Sequence, residues 1–505
     1  MISIFDPVNS CQVYDHKFWW SDEWDPLSYG KEYDFSKSFF QQFKEFRSLV
    51  PLPNLWSFNL IDSEYANYSL NSKNIYLSTS IAKSEDVAYS MLTERVRKAI
   101  DSFKIEDSEE VYEAIYSSQL NKCCFLVNSR ACIDSRFLFD CVNCQNCFMC
   151  NNLRNKTFCI KNKQYSKEEY FLKINDFNTG SYKALLNLRE EFSLLIKESI
   201  HKYANFNKII DSNGDNITES QNSSSVFACD NIQNVNYAWR VGRLKDSYDT
   251  GGCLDSELIY EATVAGVQNY GSKFYTHSTA TKNIEYCWFC PSGSDLFGCI
   301  GCRSKQYCIL NKQYTKEEYE ILLPKIIEHM KIMPYIDLKG RSFGYGEFFP
   351  FELSPFAYNQ TIAQDFFPLT HDEIIDRGYV WKNKEERHYS IDIESKYLPD
   401  NINDVDNEIL GKTIECFHKG TCDEQCTQAF KIIADELQFY KKMNLSLPRF
   451  CSNCRYHQRI NKMNPLKLWH RLCMNEGCNN EFETSYAPDR PEKVYCEKCY
   501  QQEVL

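Results

Sequence analysis

Several features that would assign a function quickly are scarce in this sequence. No apolar run approaches the roughly 20 residues that a membrane-spanning helix requires. The opening stretch, MISIFDPVNSCQVYDHKFWWSDEWD, has neither the basic start nor the apolar centre of a secretory leader. An intracellular, reducing location is therefore expected, most simply the cytoplasm. Positive charge is in deficit: 57 Lys and Arg stand against 69 Asp and Glu, a net charge of −12, which excludes a wholly basic nucleic-acid coat. Histidine occurs only nine times. No phosphate-binding loop, His-x3-His pair or dinucleotide fingerprint occurs, since Gly251-Gly252 and Gly340 stand outside any such context. Cys290 with His277 has no spacing that suggests a nucleophile and base, and is better read as a core thiol and a surface ring. Glu168/Glu169 and Glu317/Glu318 are explained by the first turns of capped helices. No catalytic residue is assigned, and an enzyme is the second expectation rather than the first.

Rings and thiols are abundant. Thirty-three Tyr and 34 Phe argue against global disorder, and 505 residues leave room for about three or four domains. Twenty-five Cys without an export signal are read as metal ligands or as small buried apolar groups, not as disulfides.

The chain contains an internal duplication. NCFMCNNLRNKTFCIKNKQYSKEEY (146–170) matches DLFGCIGCRSKQYCILNKQYTKEEY (295–319) at an offset of 149, and DSEEVYEA (107–114) matches DSELIYEA (255–262) at 148. Within each copy, Tyr89, Ile100, Tyr112 and Cys123, and then Tyr275, Tyr286, Phe297 and Tyr307, recur every 10 to 12 residues. Short apolar runs at a steady interval, separated by Asn, Asp, Ser and Gly, predict a β-solenoid, with two small antiparallel sheets as the alternative. Two intervals per turn would give a coil of about 22 residues. Ser166-x2-Glu169 and Thr315-x2-Glu318 predict capped helices closing each copy, the second containing Pro324. SYKALLNLREEFSLLIKESIHKY (181–203) has helical periodicity, and SNGDNITESQNSSS (212–225) reads as a flexible loop.

Cys141-x2-Cys144-x2-Cys147-x2-Cys150 resembles a cluster ligand set, but the duplication argues otherwise. Cys147 faces Leu296, Cys302 faces Leu153, and Cys287 faces Leu138 across the two copies. An apolar interior tolerates exchange of Cys for Leu, whereas a metal site does not. The repeat cysteines are therefore expected to line a core, with metal binding and thiol reactivity as lesser alternatives.

The late cysteines are patterned differently. Cys416-x-His418 precedes Cys422-x3-Cys426 and Cys451-x2-Cys454, and then Cys473-x4-Cys478 and Cys496-x2-Cys499 follow. Closely spaced pairs separated by a loop predict structural zinc, because each pair folds one knuckle and two knuckles complete a tetrahedron. The simplest grouping is Cys422, Cys426, Cys451 and Cys454 for one ion, and Cys473, Cys478, Cys496 and Cys499 for a second. Cys416 and His418 are possible additional ligands.

CTQAFKIIADELQFYKKMNLSLPRFCSNCR (426–455) resembles the probable zinc-ribbon domain family. NKQYTKEEY, YGEFFPFELSPFAYN, NPLKLWHR and FETSYAPDRPEKVYCEKCY resemble an uncharacterised family of long zinc-ribbon proteins from uncultured microbes, a likeness running from about residue 23 to the end. The resemblance implies architecture and zinc, and no reaction.

Residues 441–472 hold eight Lys and Arg and no acid: Lys441, Lys442, Arg449, Arg455, Arg459, Lys462, Lys467 and Arg471, interleaved with Tyr456, His457, Trp469 and His470. Such a stretch suits phosphate and base contact. It equally suits an acidic neighbour within the chain. The expected fold is mainly β with helices, a duplicated β-solenoid-like repeat followed by tandem treble-clef-like zinc ribbons. The segments expected are 1–84 (amino-terminal), 85–180 and 233–335 (the two β copies), 181–232 (helix and polar loop), 336–410 (connection), 411–460 and 461–505 (the ribbons). The expected role is a zinc-binding scaffold or binding protein whose basic tail contacts nucleic acid or a nucleoprotein. An enzyme on the β surface and a structural assembly component are the alternatives.

Overall fold

The structure, a computed structural model, describes residues 2–6, 11–384 and 388–504. Two parallel β-solenoids form its body. The strands of the first run from Phe58–Ile61 to Lys163–Gln164, and those of the second from Phe206–Trp239 to Lys312–Gln313. In both, the pairing offset is 12 residues, as for Val87 with Ala99, Ala99 with Val111 and Ile232 with Leu244, except for one coil of the second solenoid with an offset of 13, as for Tyr260 with Lys273. The coil is thus 12 residues long, not about 22. One interval between aromatic marks is about a whole turn, so most marks stack on an outer face instead of alternating between two, while Cys123 and Tyr275 point into the bores.

The short coil has a local cause. Nearly every third residue takes a positive φ, as at Lys98 (58°), Asp101 (54°), Lys104 (50°) and Asp107 (49°). Each left-handed residue turns the chain, and the next side chain points inward. Twelve residues therefore make four sides of three. Asn and Asp tolerate this backbone region best among residues with a side chain, which explains why they recur at the corners. Stacked corner pairs such as Asn59–Asn71 (3.0 Å) and Asn74–Asp86 (2.8 Å) hydrogen-bond along the axis.

The inward positions leave room only for compact groups. In the first solenoid Ile75, Val87, Val96, Ala99, Ile105, Val111, Ala114, Cys123 and Leu126 fill the bore. Serines occupy the remaining inward positions and cap the backbone. Ser90 Oγ donates to the Ala88 carbonyl (2.9 Å) and accepts the N–H of Ser102, one coil later (3.0 Å). The polar stretch 212–225 is no loop: it lies within the strand Phe206–Trp239. Its Ser220 and Ser223 are buried with Ile217 and Val226, and Ser223 Oγ accepts the N–H of Val235.

Other elements cover the outer faces. Leu185, Leu188 and Phe192 of the helix Tyr182–Glu198 pack on Phe125, Phe137 and Phe148 of the first solenoid. Leu437, Phe439 and Tyr440 of the helix Ala434–Met443 join the same cluster. The second solenoid is covered by the amino-terminal segment, whose Trp19, Phe39, Phe43 and Trp56 meet Tyr286, Trp288 and Phe297. Gly298 (φ 63°) sits under the Phe39 ring, which would stand 2.9 Å from any Cβ added there. Both capping boxes form, at Ser166/Glu169 and Thr315/Glu318, and the helix Lys316–Ile332 runs through Pro324. Tyr68 Oη meets His277 Nε2 at 2.8 Å and Arg240 Nη2 donates to Ser80 Oγ at 2.5 Å, so the solenoids touch side by side. His277 is therefore a buried contact residue, not a surface ring.

Replacing Ser90 with Ala leaves the Ser102 N–H buried without its acceptor. The expected cost is about 1–3 kcal/mol, read as a lower urea midpoint. Ser90→Cys should lose less, because thiols fill equivalent positions elsewhere in the bore.

Candidate metal centres

The repeat cysteines occupy the bore. Cys141, Cys144, Cys147 and Cys150 are four successive inward positions around the coil, which is the origin of their x2 spacing. The recurring nine-residue interval is three sides of a four-sided coil, so each thiol stands one corner away and one turn up. Cys141 Sγ donates to the carbonyls of Phe139 (3.4 Å) and Cys150 (3.7 Å), and Cys150 Sγ donates to those of Phe148 (3.2 Å) and Cys159 (3.6 Å). Cys290 and Cys299 repeat the pattern in the second copy. Burial pushes the thiols of Cys123, Cys150, Cys229 and Cys253 up to about 12, so they stay protonated. Among the described residues these sulfurs form no group with metal-ligating spacing, and the cysteines form no disulfide.

The late cysteines converge. Cys416, Cys426, Cys451 and Cys454 place their sulfurs within 4.8 Å of one another. Individual separations are 3.9 Å for Cys416–Cys454, 3.9 Å for Cys426–Cys451 and 3.5 Å for Cys451–Cys454. A tetrahedron with Zn–S bonds of about 2.3 Å has edges of about 3.8 Å. The short strands Ile414–Glu415 and Ala429–Phe430 pair and bring Cys416 and Cys426 together, while Cys451 caps the helix Ser452–Ile460 and Cys454 sits in its first turn. Backbone N–H groups of Cys451 and Gln428 point at the Cys416 and Cys426 sulfurs (3.2 and 3.3 Å) and lower both thiols, while the Cys451 side chain at Cys416 and burial at Cys426 keep them above the ordinary value.

Cys473, Cys478, Cys496 and Cys499 form the second group, also within 4.8 Å. The hairpin of Trp469–Leu472 with Glu481–Thr484 carries the first pair in its turn, and the helix Glu497–Val504 carries Cys499. Cys478 and Cys496 are 4.0 Å apart, and the Cys496 N–H points at Cys473 Sγ (3.3 Å). Burial raises the Cys496 thiol, but the Cys499 N–H and neighbouring thiols outweigh that and bring it to about 7. Both four-cysteine groups could hold a metal ion with every position taken by protein.

The first group differs from the sequence grouping in one member. Cys416 completes it, and Cys422 lies beside it, with its Sγ 3.7 Å from that of Cys454. Linear spacing could not choose between the two, because the hairpin that selects Cys416 involves backbone pairing rather than a motif. His418, Cys422 and Glu424 make a further group with Cys454. Glu424 was not anticipated from the sequence.

The basic stretch is largely engaged inside the molecule. Arg455 Nε lies 2.9 Å from Asp101 Oδ2, Arg459 Nη1 lies 2.7 Å from Asp101 Oδ1, and all three residues are buried. Buried Arg449 donates to the carbonyls of Leu398 and Pro399 and stacks over Tyr182. Lys442 pairs with Glu110, Lys462 lies 3.9 Å from Glu113, and Arg471 donates to the Ala487 carbonyl. Lys441 reaches Asn407, and Lys467 lies over the Trp469 ring. The acidic partners lie on the first solenoid, more than 300 residues away in sequence, so no local pattern could reveal them.

The chain matches no family model and no curated protein. Among solved structures it is similar to a protein from Desulfovibrio desulfuricans G20 named, provisionally, as an acetyltransferase. The likeness covers 48% of this chain and 63% of that one, under two thirds of its length, at 13% identity and a TM-score of 0.12. So low a score carries no argument about fold or activity. No helix among the described residues is long and apolar enough to cross a membrane.

Asp101→Ala would strand two buried guanidinium groups, at an expected cost of about 3–5 kcal/mol. Limited proteolysis should then release the carboxy-terminal segment sooner than in wild type. Glu113 offers a pH test. Burial opposes its charge, but Arg189 and Lys462 outweigh that and lower it from 4.5 to about 2. A depressed carboxyl stabilises above its unfolded value, and this contribution is lost as pH falls toward 2. The stability gap between wild type and Glu113→Gln should therefore be constant at neutral pH and close between about pH 4.5 and 2, as followed by denaturation.

Proposed function

We propose that the protein is a zinc-clamped β-solenoid scaffold. In this reading two structural ions fasten the carboxy-terminal segment across both solenoids and hold the outer surfaces in a fixed relation. The observation that carries it is the pair of four-cysteine groups with tetrahedral spacing, each at a junction with the body. The helix that starts at the first group sends Arg455 and Arg459 to Asp101 of the first solenoid. The second group lies beside the strand Lys493–Tyr495, which pairs in parallel with Ile200–Lys202. From the same ribbon Ser485 Oγ donates to Asp215 Oδ2 of the second solenoid (2.6 Å), and Tyr500 meets Asp140 of the first. Zinc fits because thiolate sets of four suit a closed, tetrahedral, redox-inert ion, and because so small a ribbon lacks a core of its own.

Nucleic-acid contact is the finer claim, and it has less support. Lys441, Lys467 and Arg471 are the members of the basic stretch that lack a carboxylate partner and a buried position, and three phosphate contacts give a shallow salt dependence, with a slope of about −2.7 in log K against log salt.

Purified protein should carry at least two equivalents of zinc. Chelation should expose residues 411–504 to protease and hydrogen exchange while the far-UV signal of the solenoids persists. Less than two equivalents, or unchanged protection after metal removal, would defeat this reading. Tight nucleic-acid binding that collapses between low and moderate salt would favour a nucleic-acid role instead.

A further inference from the structure

The turn between Cys416 and Cys426 holds more donors than one ion can use. Lys419 and Gln425 take left-handed backbone conformations (φ 50° and 48°), and Gly420 adds a third (80°). Tight hydrogen bonds close the turn, with the Lys419 N–H on the Cys416 carbonyl and the Thr421 N–H on that of His418, both at 2.8 Å. The result is that His418, Cys422 and Glu424 face the Cys454 sulfur from one side, with all four ligand atoms within 4.8 Å. Cys416, Cys426 and Cys451 surround the same sulfur from the other.

Two atoms in this turn lack hydrogen bonds. Nδ1 of His418 and Oε2 of Glu424 are buried from solvent, and neither makes a hydrogen bond. They lie 3.4 Å apart. They form an ion pair only if the imidazole is protonated, and neither atom makes a hydrogen bond. A cation between them would bind both.

From this geometry we propose that Cys454 is a bridging thiolate and that His418, Cys422 and Glu424 hold a second ion beside the four-cysteine ion. The proposal rests on the clamp reading and extends it. Seven donors with one shared sulfur give two four-coordinate ions with none left over. The 3.7 Å between Cys422 and Cys454 is close to the edge of a zinc tetrahedron. Nitrogen, sulfur and carboxylate oxygen are all acceptable zinc ligands, and a mixed set of this kind suits zinc better than a hard ion such as calcium or magnesium. Five thiolates and one carboxylate facing two dications leave two negative charges. The Lys384 ammonium, which donates to the Gly420 and Cys422 carbonyls, lies at this turn to offset them. If Cys422 were only a substitute for Cys416 on a single ion, His418 and Glu424 would have only each other, with no hydrogen bond between them.

The test uses the full chain loaded with cadmium-113 and, in parallel, with zinc. Three metal equivalents are expected, with a scalar coupling between two of the three cadmium signals, transmitted through the shared sulfur. A His418→Ala, Glu424→Gln double variant should lose one equivalent and the coupling, and retain two ions and the wild-type far-UV signal. Two equivalents in wild type, unchanged in the variant, would overturn the dinuclear centre and leave the clamp standing. Three equivalents that persist in the variant would place the third ion elsewhere and also overturn it. Fewer than two would remove the clamp itself.

Discussion

The architecture depends on one backbone constraint: a left-handed residue at almost every third position. Such a residue is unfavourable for any side chain beyond glycine. It persists because each turn it makes stacks the following coil in register, so the backbone N–H and C=O groups are satisfied up and down the axis. The same constraint fixes the bore. With three residues per side, four inward side chains share each turn, and the space admits valine, alanine, serine and cysteine more readily than rings. Tyr275, Tyr286 and Phe297 show the boundary. Tyr275 lies with the second bore, near a place where the register slips between Gly251 and Cys253, while Tyr286 and Phe297 project outward under the amino-terminal helix.

A solenoid so narrow cannot bury its own outer apolar face, and this determines what the rest of the chain does. The amino-terminal segment covers the second solenoid, and the carboxy-terminal segment covers the first. The duplicated arginines mark the arrangement. Arg303 lies over Trp19 and Trp24 and donates to backbone carbonyls around them. Its counterpart Arg154 pairs with Asp140 (3.0 Å) and reaches Tyr500 (2.6 Å). One inherited side chain thus fastens a different terminal segment in each copy. Two four-cysteine groups lie in the covering carboxy-terminal segment, where bound ions would cross-link it.

Much of this could be read from the sequence, and the exceptions have physical reasons. The exchanges Cys147/Leu296, Cys302/Leu153 and Cys287/Leu138 identified the lining correctly, because a bore position selects for size and not for sulfur. Coil length was misread because serine hides the three-residue rhythm. Ser84, Ser90, Ser102 and Ser108 point inward, yet a hydroxyl scores as polar, so only the aromatic outer ladder remained visible. The same blindness made residues 212–225 look like a loop. At the four-cysteine groups, seven of the eight first-choice cysteines named from knuckle spacing do converge. The choice of Cys416 over Cys422 depends on pairing between Glu415 and Ala429, which no spacing encodes. The basic stretch was legible as charge, but its destination was not, since Asp101 lies 358 residues from Arg459.

Cysteine does two kinds of work in this chain, and what separates them is the partner each sulfur is given. Most bore thiols face two carbonyls, both acceptors, and donate to them, and burial favours the protonated form, while neighbouring thiols pull Cys144 and Cys290 the other way. A late thiol instead faces backbone N–H groups and other sulfurs, as Cys416 does toward the Cys451 N–H. There four sulfurs converge within 4.8 Å, and the groups could hold a metal ion. The sequence places the same residue type in both settings, and the fold gives the two sets different surroundings, carbonyls in the bore and converging sulfurs at the late groups. A solenoid with acceptors aimed inward can therefore tolerate runs such as Cys141 to Cys150 without becoming a metal trap. A knuckle that gathers four sulfurs within 4.8 Å has the spacing to hold an ion.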